Sequence, residues 1–323
     1  MCGYEPKFSI STKSINLVSE ISALVKEIEL AHVYMDLRLR RKNRIISIQS
    51  SLQIEANSMT IDQVSDMIEG KRVLGPAKDI LEVKNAIDAY NLIPKLNPSS
   101  SEDLLRLHGV MMAGLTDQAG MFRTVGVNVV NSKTREVIHY APHPDFVPVF
   151  IEDLMQWVRT TDHHPLIVSC VFHHEFEYIH PFTDGNGRTG RLWQTLLLSK
   201  WNPVFEWLPV ESAIRDRQTE YYEAIRNATD EGDTCVFIEF ILEAIRDSLI
   251  EALGSADSGM ETKVFHIIKE GRYTNATDVA RMLGVSERTV RRAITSLKEK
   301  NAIKRDGSTK TGRWVVAETH VSE

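Results

Sequence analysis

The chain contains 323 residues with a net charge of −6; 42% of the residues are hydrophobic and 25% are charged. Such values are ordinary for a globular protein in water, and because no uninterrupted apolar run reaches about 18 residues, we expect no membrane-spanning helix. Three widely spaced cysteines exclude a disulfide framework and a four-cysteine zinc site, and no apolar signal segment starts the chain, so we expect a cytoplasmic protein.

Helical spacing dominates the N-terminal part. Between Asn16 and Ser50 apolar residues recur every three or four positions and proline is absent, which predicts helical structure. The segment 92–101 is rich in proline, asparagine and serine and predicts a loop, after which Ser101 and two acidic residues indicate the start of another helix. The residues that carry the first pattern are Leu17, Ile21, Leu24, Ile28 and His32.

The central part combines a short hairpin with two helices. Valine and isoleucine side chains on either side of residues 131–134 predict two strands joined by a turn. Pro165 favours the first turn of a helix, which should end at His180 because a residue that precedes proline is disfavoured in helical geometry. Leucines at helical spacing after residue 191 predict the second helix.

The C-terminal end differs from the rest in charge. The segment 258–323 contains 13 Lys and Arg against 8 Asp and Glu, a net charge of +5, which leaves −11 for the remainder. A basic end on an acidic body is a weak indication of a nucleic-acid-binding module, although a solvated surface explains the charge alone more simply. Glycine and serine between Leu253 and Gly259 predict a linker before this end.

A glycine-rich segment from His180 to Arg191, His-Pro-Phe-Thr-Asp-Gly-Asn-Gly-Arg-Thr-Gly-Arg, concentrates groups suited to phosphate. Its glycines let backbone amides approach a ligand, and the helix that starts among them presents unpaired amides and a partial positive charge. Arg188 and Arg191 lie three residues apart on one helix face, an arrangement that suits a polyphosphate.

Two further side chains of this segment add the chemistry of a transfer site. Asp184 supplies an oxygen for Mg²⁺, and His180 can take up a proton near neutral pH. The spacing Gly185-x-Gly187-x-x-Gly190 also fits a dinucleotide-binding fingerprint, but that motif follows a strand, whereas a helix is predicted here. A salt-bridged turn between helices explains the glycines, but not the histidine, aspartate, asparagine and two arginines together.

This segment resembles the signature of the Fic family, His-Pro-Phe-x-(Asp/Glu)-Gly-Asn-Gly-Arg-x-x-Arg, and matches it at every fixed position. The resemblance implies a mainly α fold, a helical bundle with a small β-hairpin flap. It also implies transfer of AMP from ATP to a Ser, Thr or Tyr hydroxyl of a target protein, with release of pyrophosphate. By the same resemblance His180 is the general base, Phe182 anchors the loop and Asp184 holds Mg²⁺.

The resemblance further implies how the signature binds the nucleotide. The residues that would line the anion nest are Gly185, Asn186 and Gly187. Arg188 and Arg191 would bind the distal phosphates, so that ATP and Mg²⁺ are the expected cofactors.

Three other segments match parts of the family. Gly120-Met-Phe-Arg-Thr-Val125 resembles its usual lead-in, and the hairpin strand Val137–Tyr140 resembles the flap that holds a target protein by main-chain pairing. An ordinary surface hairpin is the alternative. Tyr221 and Tyr222 fall where members of the family close the adenine pocket, although a tyrosine pair is as readily part of a core.

The segment Ser50-Ser-Leu-Gln-Ile-Glu-Ala-Asn57 is the second specific feature. Ser51 and Glu55 lie four residues apart, on one helix face. The segment resembles the N-terminal inhibitory helix of Fic proteins, Ser/Thr-x-x-x-Glu-Gly/Asn, whose glutamate pairs with the second signature arginine, here Arg191, and slows transfer by competing with the γ-phosphate. Ala56 departs from this pattern and leaves the helix end open. A surface charge at Glu55 is the alternative.

The basic end looks like a winged helix-turn-helix domain. A helix closed by Gly284 precedes a helix that starts after Ser286, and two glycines before Trp314 indicate a wing hairpin. DNA contact is the functional interpretation, and docking of a protein is the alternative. The arginines expected to face outward on the second helix are Arg288, Arg291 and Arg292.

We therefore predict an N-terminal helical region at 1–95 with the inhibitory helix, a Fic domain at 96–253 and a winged-helix domain at 260–318. The predicted function is that of a protein adenylyltransferase autoinhibited by Glu55 on Arg191. Removal of AMP by Glu55 and His180, and an ATP-sensing DNA-binding regulator, remain alternatives. Family members are often dimers, which makes a homodimer one open alternative for the oligomeric state.

Overall fold

The computed structural model describes residues 5–30, 37–130, 137–269, 275–300, 302–306 and 313–316. The chain divides into two compact units, Met1–Ile21 with Arg40–Ser248, and Ser22–Leu39 with Leu249–Glu323. The described residues are mainly helical and include two antiparallel sheets of two strands each, which confirms the predicted fold class. In the described ranges, every helix is too short or too polar to span a membrane.

The elements of the described residues follow in chain order. The helices are α1 (Thr12–Leu30), α2 (Leu37–Ile54), α3 (Ile61–Ile68), α4 (Ala77–Leu92), α5 (Ser101–Met111), α6 (Val147–Thr160), α7 (Pro165–Ile179), α8 (Asn186–Trp201), α9 (Val210–Asp216), α10 (Gln218–Glu231), α11 (Cys235–Lys269), α12 (Ala276–Leu283) and α13 (Glu287–Glu299). The strands are β1 (Asn128–Val130), β2 (Val137–Tyr140), β3 (Ile303–Asp306) and β4 (Arg313–Val316).

The core of the first unit is built around α7 and α8. Helix α7 is buried along almost its whole length, as expected for an apolar helix that is surrounded by other elements. Phe172 and Phe176 of α7 are completely buried, and Phe172 stacks on Trp193 of α8 with 6.3 Å between the ring centroids. The loop between these two helices is therefore held at both ends by well-packed elements.

Several helix boundaries follow local sequence signals. Helix α5 begins at Ser101 as predicted, with Ser100 as its side-chain N-cap. Helix α7 begins at Pro165 and ends at Ile179, so that His180 is its C-cap. The helical segment predicted from residue 16 to residue 50 is described as α1 and α2, and residues 31–36, which include His32, lie outside the described residues.

The prediction of a linker between Leu253 and Gly259 is wrong. This segment lies inside α11, whose backbone is helical from Cys235 to Lys269. A glycine inside a helix costs only about 1 kcal/mol relative to alanine, so helical segments on both sides can carry the helix through. The predicted domain boundaries stay predictions.

Strands β1 and β2 form the predicted hairpin. They are antiparallel, with Asn128 opposite Tyr140, and the turn residues 131–136 lie outside the described residues. The Nε2 atom of His139 lies 3.0 Å from the carbonyl oxygen of Tyr178, and the two rings stack at 4.5 Å. These contacts tie β2 to the end of α7.

The second unit contains the predicted winged helix-turn-helix region. Helix α12 ends at Gly284, which has a φ of +66°, and Ser286 caps α13 by accepting a hydrogen bond from the Thr289 amide at 3.2 Å. Strand β3 pairs with β4, while residues 307–312 of the wing lie outside the described residues. The buried core residues are Val264, Ile267, Ile268, Val279, Ala280, Val290, Ala293, Ile294, Leu297 and Ile303.

Candidate active site

Buried packing holds the loop between α7 and α8. Phe182 is completely buried, and its ring stacks on the imidazole of His108 with 3.6 Å between the centroids. Asn186, the first residue of α8, donates from Nδ2 to the Phe182 carbonyl at 2.8 Å and accepts from the Phe182 amide at 2.9 Å. Both polar atoms of the Asn186 side chain are thus used within the loop, so Asn186 can contact a ligand only through its backbone.

His108 is a site residue that the sequence analysis did not single out. Its Nδ1 accepts a hydrogen bond from the Gly120 amide at 2.9 Å, and its Nε2 donates to the Asp184 carbonyl at 2.9 Å. Burial lowers the pKa of His108 to about 4, which keeps the ring neutral and consistent with one donor and one acceptor. A lone histidine on an amphipathic helix carries no sequence signal for this bracing role.

His180 closes α7 in the left-handed conformation, with a φ of +49° that is uncommon for a residue other than glycine. Its Nδ1 lies 3.3 Å from the carbonyl oxygen of Glu177 and 3.6 Å from the Glu177 carboxylate. An imidazole held through Nδ1 leaves Nε2 as the nitrogen that can accept a proton.

Arg123 is a second residue that the sequence analysis did not assign. Its guanidinium is buried and donates to four backbone carbonyl groups on both sides of the flap. The acceptors are Val125 at 2.9 Å, Pro142 at 2.6 Å, Ile179 at 3.3 Å and His180 at 2.8 Å. Although the run 120–125 was recognised, nothing in it distinguishes a buried arginine bound to carbonyls from an exposed one.

Asp184 and Gly185 form the entrance to α8. The Asp184 Oδ1 accepts a hydrogen bond from the Gly185 amide at 2.6 Å, and the side chain is 58% exposed, so a cation can reach it. Gly185 has a φ of +82°, and a Cβ at this position would lie 2.5 Å from the sulfur of Met112. Both the backbone conformation and the contact therefore require glycine.

Arg188 is buried beside two carboxylates. Its Nη1 donates to Glu82 Oε1 at 3.1 Å and its Nη2 lies 3.4 Å from Asp184 Oδ1. Within the described residues its Nε has no hydrogen-bond partner. Glu82, a buried residue far away in sequence, was not anticipated. A buried guanidinium with an unused donor is suited to an additional anionic acceptor.

Glu55 and Arg191 form the predicted ion pair. The Arg191 Nη2 donates to Glu55 Oε1 at 2.8 Å and to the Ser51 carbonyl at 3.0 Å, and Nε donates to Ser51 Oγ at 3.1 Å. The Arg191 side chain is 2% exposed and that of Glu55 is 28% exposed. Burial alone would lower the pKa of Arg191, but the Glu55 carboxylate raises it above its usual value.

The Glu55 carboxylate also lies over the first turn of α8. A Cβ built on Gly187 would be 2.5 Å from Glu55 Oε1 and 2.8 Å from Arg191 Nη1. The absence of a side chain at Gly187 therefore makes room for an anionic group next to the helix N-terminus and the guanidinium. In this structure the anionic group is the carboxylate of Glu55.

The segment from His180 to Arg191 lies in a region that matches known proteins. A model of the Fic/DOC family matches residues 98–198. The crystal structure of a Fic family protein from Desulfovibrio desulfuricans G20 is 39% identical, with a TM-score of 0.76, and the match covers 99% of this chain and 100% of that chain. The chain belongs to the Fic family. A model of the DeoR-like helix-turn-helix domain matches residues 261–307.

Curated Fic proteins are more distant. The chain is 29% identical to a protein adenylyltransferase Fic of Nematostella vectensis over 64% of this chain and 48% of that protein. For protein adenylyltransferase fic-1 of Caenorhabditis elegans the identity is 27%, over 72% of this chain and 45% of that protein. The chain thus spans about half the length of these relatives. A solved structure of C. elegans Fic-1, at 21% identity and a TM-score of 0.61, shares the fold over 76% of this chain and 73% of that chain.

Glu55 and Ala56 lie in the turn that follows α2, at the position where Ala56 departs from the Fic pattern. Ala56 has a φ of +66°, the left-handed conformation that glycine and asparagine adopt most easily. Asn57 follows with its Nδ2 donating to Glu82 Oε2 at 2.8 Å and its Oδ1 accepting from the Met59 amide at 3.0 Å. Alanine therefore adopts the turn with some strain, and the neighbouring asparagine stabilises it.

The two tyrosines expected near adenine differ in burial. Tyr221 is 1% exposed, and its hydroxyl lies 3.0 Å from His173 Nε2. Its ring packs 6.0 Å from that of Phe237. Tyr222 is half-buried, with its ring 5.3 Å from Tyr221. Tyr221 is therefore a core residue of this Fic fold, and the adenine contact of the pair stays a prediction.

Proposed function

We propose that this Fic protein transfers AMP from ATP to a hydroxyl group of a target protein, and that Glu55 keeps this activity low. The observation that carries the proposal is the position of the Glu55 carboxylate, bonded to Arg191 and lying over Gly187. A helix N-terminus, a bare glycine and a buried guanidinium together suit a phosphate. Relatives named protein adenylyltransferases support the same reaction.

In the proposed reaction the His180 Nε2 accepts the proton of the target hydroxyl while the hydroxyl oxygen attacks the α-phosphorus. A bond forms between this oxygen and the α-phosphorus, the bond from the α-phosphorus to the oxygen that bridges to the β-phosphate breaks, and pyrophosphate leaves. The backbone amides at the start of α8 and the guanidinium of Arg191 stabilise the charge on the phosphate oxygens. Arg188 adds an unused donor nearby.

The residues present also fit the Mg²⁺ that enzymes of this family generally use. Asp184 offers a hard carboxylate oxygen on a largely exposed side chain, close to the place where phosphates would lie. When bound there, Mg²⁺ neutralises phosphate charge and makes pyrophosphate a better leaving group. Asp184 is held in place through its own backbone, since its carbonyl accepts the hydrogen bond from His108.

Glu55 inhibits in this proposal because two anions cannot share the guanidinium of Arg191. ATP that enters while Glu55 stays in place has to bind with its distal phosphates displaced, and the α-phosphorus is then misaligned with His180. Removal of the carboxylate frees the place over Gly187 for phosphate. Misalignment by about 1 Å can lower a rate about 100-fold, so a modest displacement suffices.

The flap supplies the place for the target protein in this proposal. The hairpin has two strands, so each strand has an edge free of sheet partners within the described residues, suited to pairing with an extended segment. Val137 and Tyr140 are exposed on β2, while His139 ties the strand to Tyr178 and so to the turn at His180. A bound segment would thereby bring its hydroxyl near the base.

Incubation with ATP that is radiolabelled at the α-phosphate tests the proposal. We expect little labelling of protein by the wild type, strong labelling by Glu55→Gly, and none by Glu55→Gly combined with His180→Ala. The matched control is Glu69→Gly, which removes an exposed glutamate at the end of α3 and should label at the wild-type level. Absence of labelling by Glu55→Gly, or labelling only from the γ-phosphate, contradicts AMP transfer.

DNA binding by the second unit is a second candidate function, favoured by the DeoR-like helix-turn-helix match. Arg288 and Arg291 are exposed on α13, the second helix of the motif. The cationic groups of Lys298 and Arg305 lie 5.8 and 5.3 Å from the ring centre of Trp314, which keeps two positive charges near the wing.

Binding of the full chain to duplex DNA at several salt concentrations tests this second candidate. We expect the affinity to fall as salt rises, because released counterions drive phosphate binding. Arg288→Ala should weaken binding, whereas the control Arg106→Ala, an exposed arginine of α5, should not. Affinity that is independent of salt and of Arg288 excludes this mode of binding.

A further inference from the structure

Glu177 is a buried carboxylate that the proposed reaction does not yet use. It lies on the last turn of α7, with a side chain that is 5% exposed. Its Oε2 lies 3.6 Å from His180 Nδ1, and its Oε1 has no hydrogen-bond partner among the described residues. A buried carboxylate with an unsatisfied oxygen destabilises a fold, so packing alone does not explain it.

The surroundings of Glu177 keep it ionised. Burial alone would raise the pKa of Glu177, but the nearby imidazole of His180, together with His173 and Arg191, holds it below its usual value. The aromatic hydroxyl of Tyr221, on α10, also lies within electrostatic range. The charged and titratable groups that face Glu177 therefore come from α7, α8 and α10, and its strongest partner is the imidazole of His180.

Glu175 provides an internal comparison, since it lies two residues earlier on the same helix. It is buried to a similar extent, but the ring 3.9 Å from its carboxyl group is that of His174, whose pKa burial lowers to about 4, so the ring is neutral; burial raises the pKa of Glu175 to about 8. Glu175 is therefore mostly protonated at neutral pH, whereas Glu177 is a carboxylate. Their difference reflects the neighbours of each carboxyl group rather than the depth of burial.

The position of Glu177 bears on which nitrogen of His180 carries the proton. His180 Nδ1 faces two acceptors, the Glu177 carbonyl oxygen at 3.3 Å and the Glu177 carboxylate at 3.6 Å. Two acceptors on this side favour a proton on Nδ1 in the neutral ring and stabilise the positive charge when the ring is doubly protonated. Nε2 then remains the acceptor for a hydroxyl proton.

We propose that Glu177 is a positioning residue for the base: it holds His180 in the Nδ1–H tautomer and stabilises the imidazolium that forms when Nε2 takes the target proton. This inference rests on the proposed AMP transfer. The step leaves the carboxylate itself unprotonated: the proton moves from the hydroxyl oxygen to Nε2, Nδ1 keeps its own proton, and the Glu177 charge offsets the new positive charge.

The test uses the full chain in the active Glu55→Gly background, with Glu177→Gln as the variant and Glu175→Gln as the matched control. For Glu177→Gln we expect kcat to fall about 10- to 100-fold without an increase in the KM for ATP. The pH dependence of the rate should also differ from that of Glu55→Gly alone, because a nearby carboxylate no longer offsets the charge on the ring. Glu175→Gln should retain the profile of Glu55→Gly.

Nuclear magnetic resonance of histidine labelled with ¹⁵N provides a readout that does not need activity or a stable Glu177 variant. In the wild-type chain we expect the neutral His180 ring to carry its proton on Nδ1. A proton on Nε2, or an unchanged kcat and pH profile in a folded Glu177→Gln variant, overturns the inference. If Glu55→Gly transfers no AMP, the proposed function fails, while the tautomer measurement still decides the role of Glu177.

Discussion

Glu55 and Glu27 each pair with an arginine, but in very different surroundings. In the first unit Glu55 bonds to Arg191, whose side chain is 2% exposed and also donates to Ser51. In the second unit Glu27 of α1 pairs with Arg292 of α13, where the side chains are 42% and 47% exposed. The same two residue types thus form one buried and one solvated pair.

The difference shows that burial, rather than the number of ion pairs, decides what such a pair does. A solvated pair exchanges water for a partner at little net gain and is screened by salt. A buried arginine has lost its water and needs an anionic partner, so it keeps its carboxylate until another anion replaces it. The buried pair therefore suits the switch for a phosphate ligand that we propose, whereas the solvated pair is too weak for such a role.

The largest expected effect is the loss of stability when the arginine of each pair is replaced by alanine. We expect Arg191→Ala to lower the free energy of unfolding by about 3 kcal/mol, because it leaves Glu55 and the Ser51 acceptors without their donor. Arg292→Ala should lower it by less than about 1 kcal/mol. Urea unfolding of both variants measures the difference. Equal losses would mean that burial does not separate the two pairs.

Glu175 extends the comparison of carboxyl groups, because it is buried and has no ion pair with Lys or Arg among the described residues. The pKa of Glu175, about 8 in the folded chain, lies above its ordinary value. Its contribution to stability is therefore complete at low pH and is lost as the pH rises through about 8, since the unfolded chain releases this proton earlier. We expect the free energy of unfolding of Glu175→Gln to rise by about 3 kcal/mol relative to that of the wild type between pH 5 and pH 7.5.

Unfolding at several pH values checks this expectation. The control is Glu287→Gln, because Glu287 is on the exposed face of α13 and pairs with Arg291 in solvent. The free energy of unfolding of this control should change with pH as that of the wild type does. Hydrogen bonding to Arg291 lowers the pKa of Glu287, which leaves this carboxylate ionised over the whole range. If the free energy of unfolding of Glu175→Gln also changed with pH as that of the wild type does, the carboxyl group of Glu175 would not be neutral in the folded chain.

The smallest expected effect concerns the backbone that presents Glu55. Ala56 adopts a left-handed conformation at the end of α2. We expect Ala56→Gly to raise the free energy of unfolding by about 0.5–1 kcal/mol, as glycine accepts this conformation without a Cβ contact. The control Ala23→Gly, at an exposed position inside α1, should lower it by a similar amount. A loss of stability in Ala56→Gly would show that the turn is not strained.

Local signals predicted much of the fold. Pro165 and Ser101 start helices where expected, Gly284 ends α12, and the hairpin of β1 and β2 occupies the predicted place. Each of these signals acts within a few residues, so that a single sequence carries it. The prediction of a linker near Gly254 was wrong because it used local signals alone. The long helix α11 continues through residues of low helix propensity, since the segments on both sides are helical.

The candidate site was predicted where its residues are contiguous and missed where they are not. The signature from His180 to Arg191 supplied the proposed base and the two arginines. In contrast, His108, Arg123 and Glu82 come from other elements and carry no motif of their own. Their roles depend on which carbonyl or carboxylate faces them after folding.

The amino-acid sequence by itself determined the helical architecture, the hairpin, the helix-turn-helix region and the signature loop, because each depends on neighbours along the chain. Only the tertiary structure decided which charges are buried and with whom. Glu175 and Glu177 illustrate this: they lie two residues apart on α7, yet burial raises the pKa of the first, while His180 and Arg191 lower that of the second. The physical reason is that the ionisation of a buried group is set by desolvation and by partners that other elements bring to it.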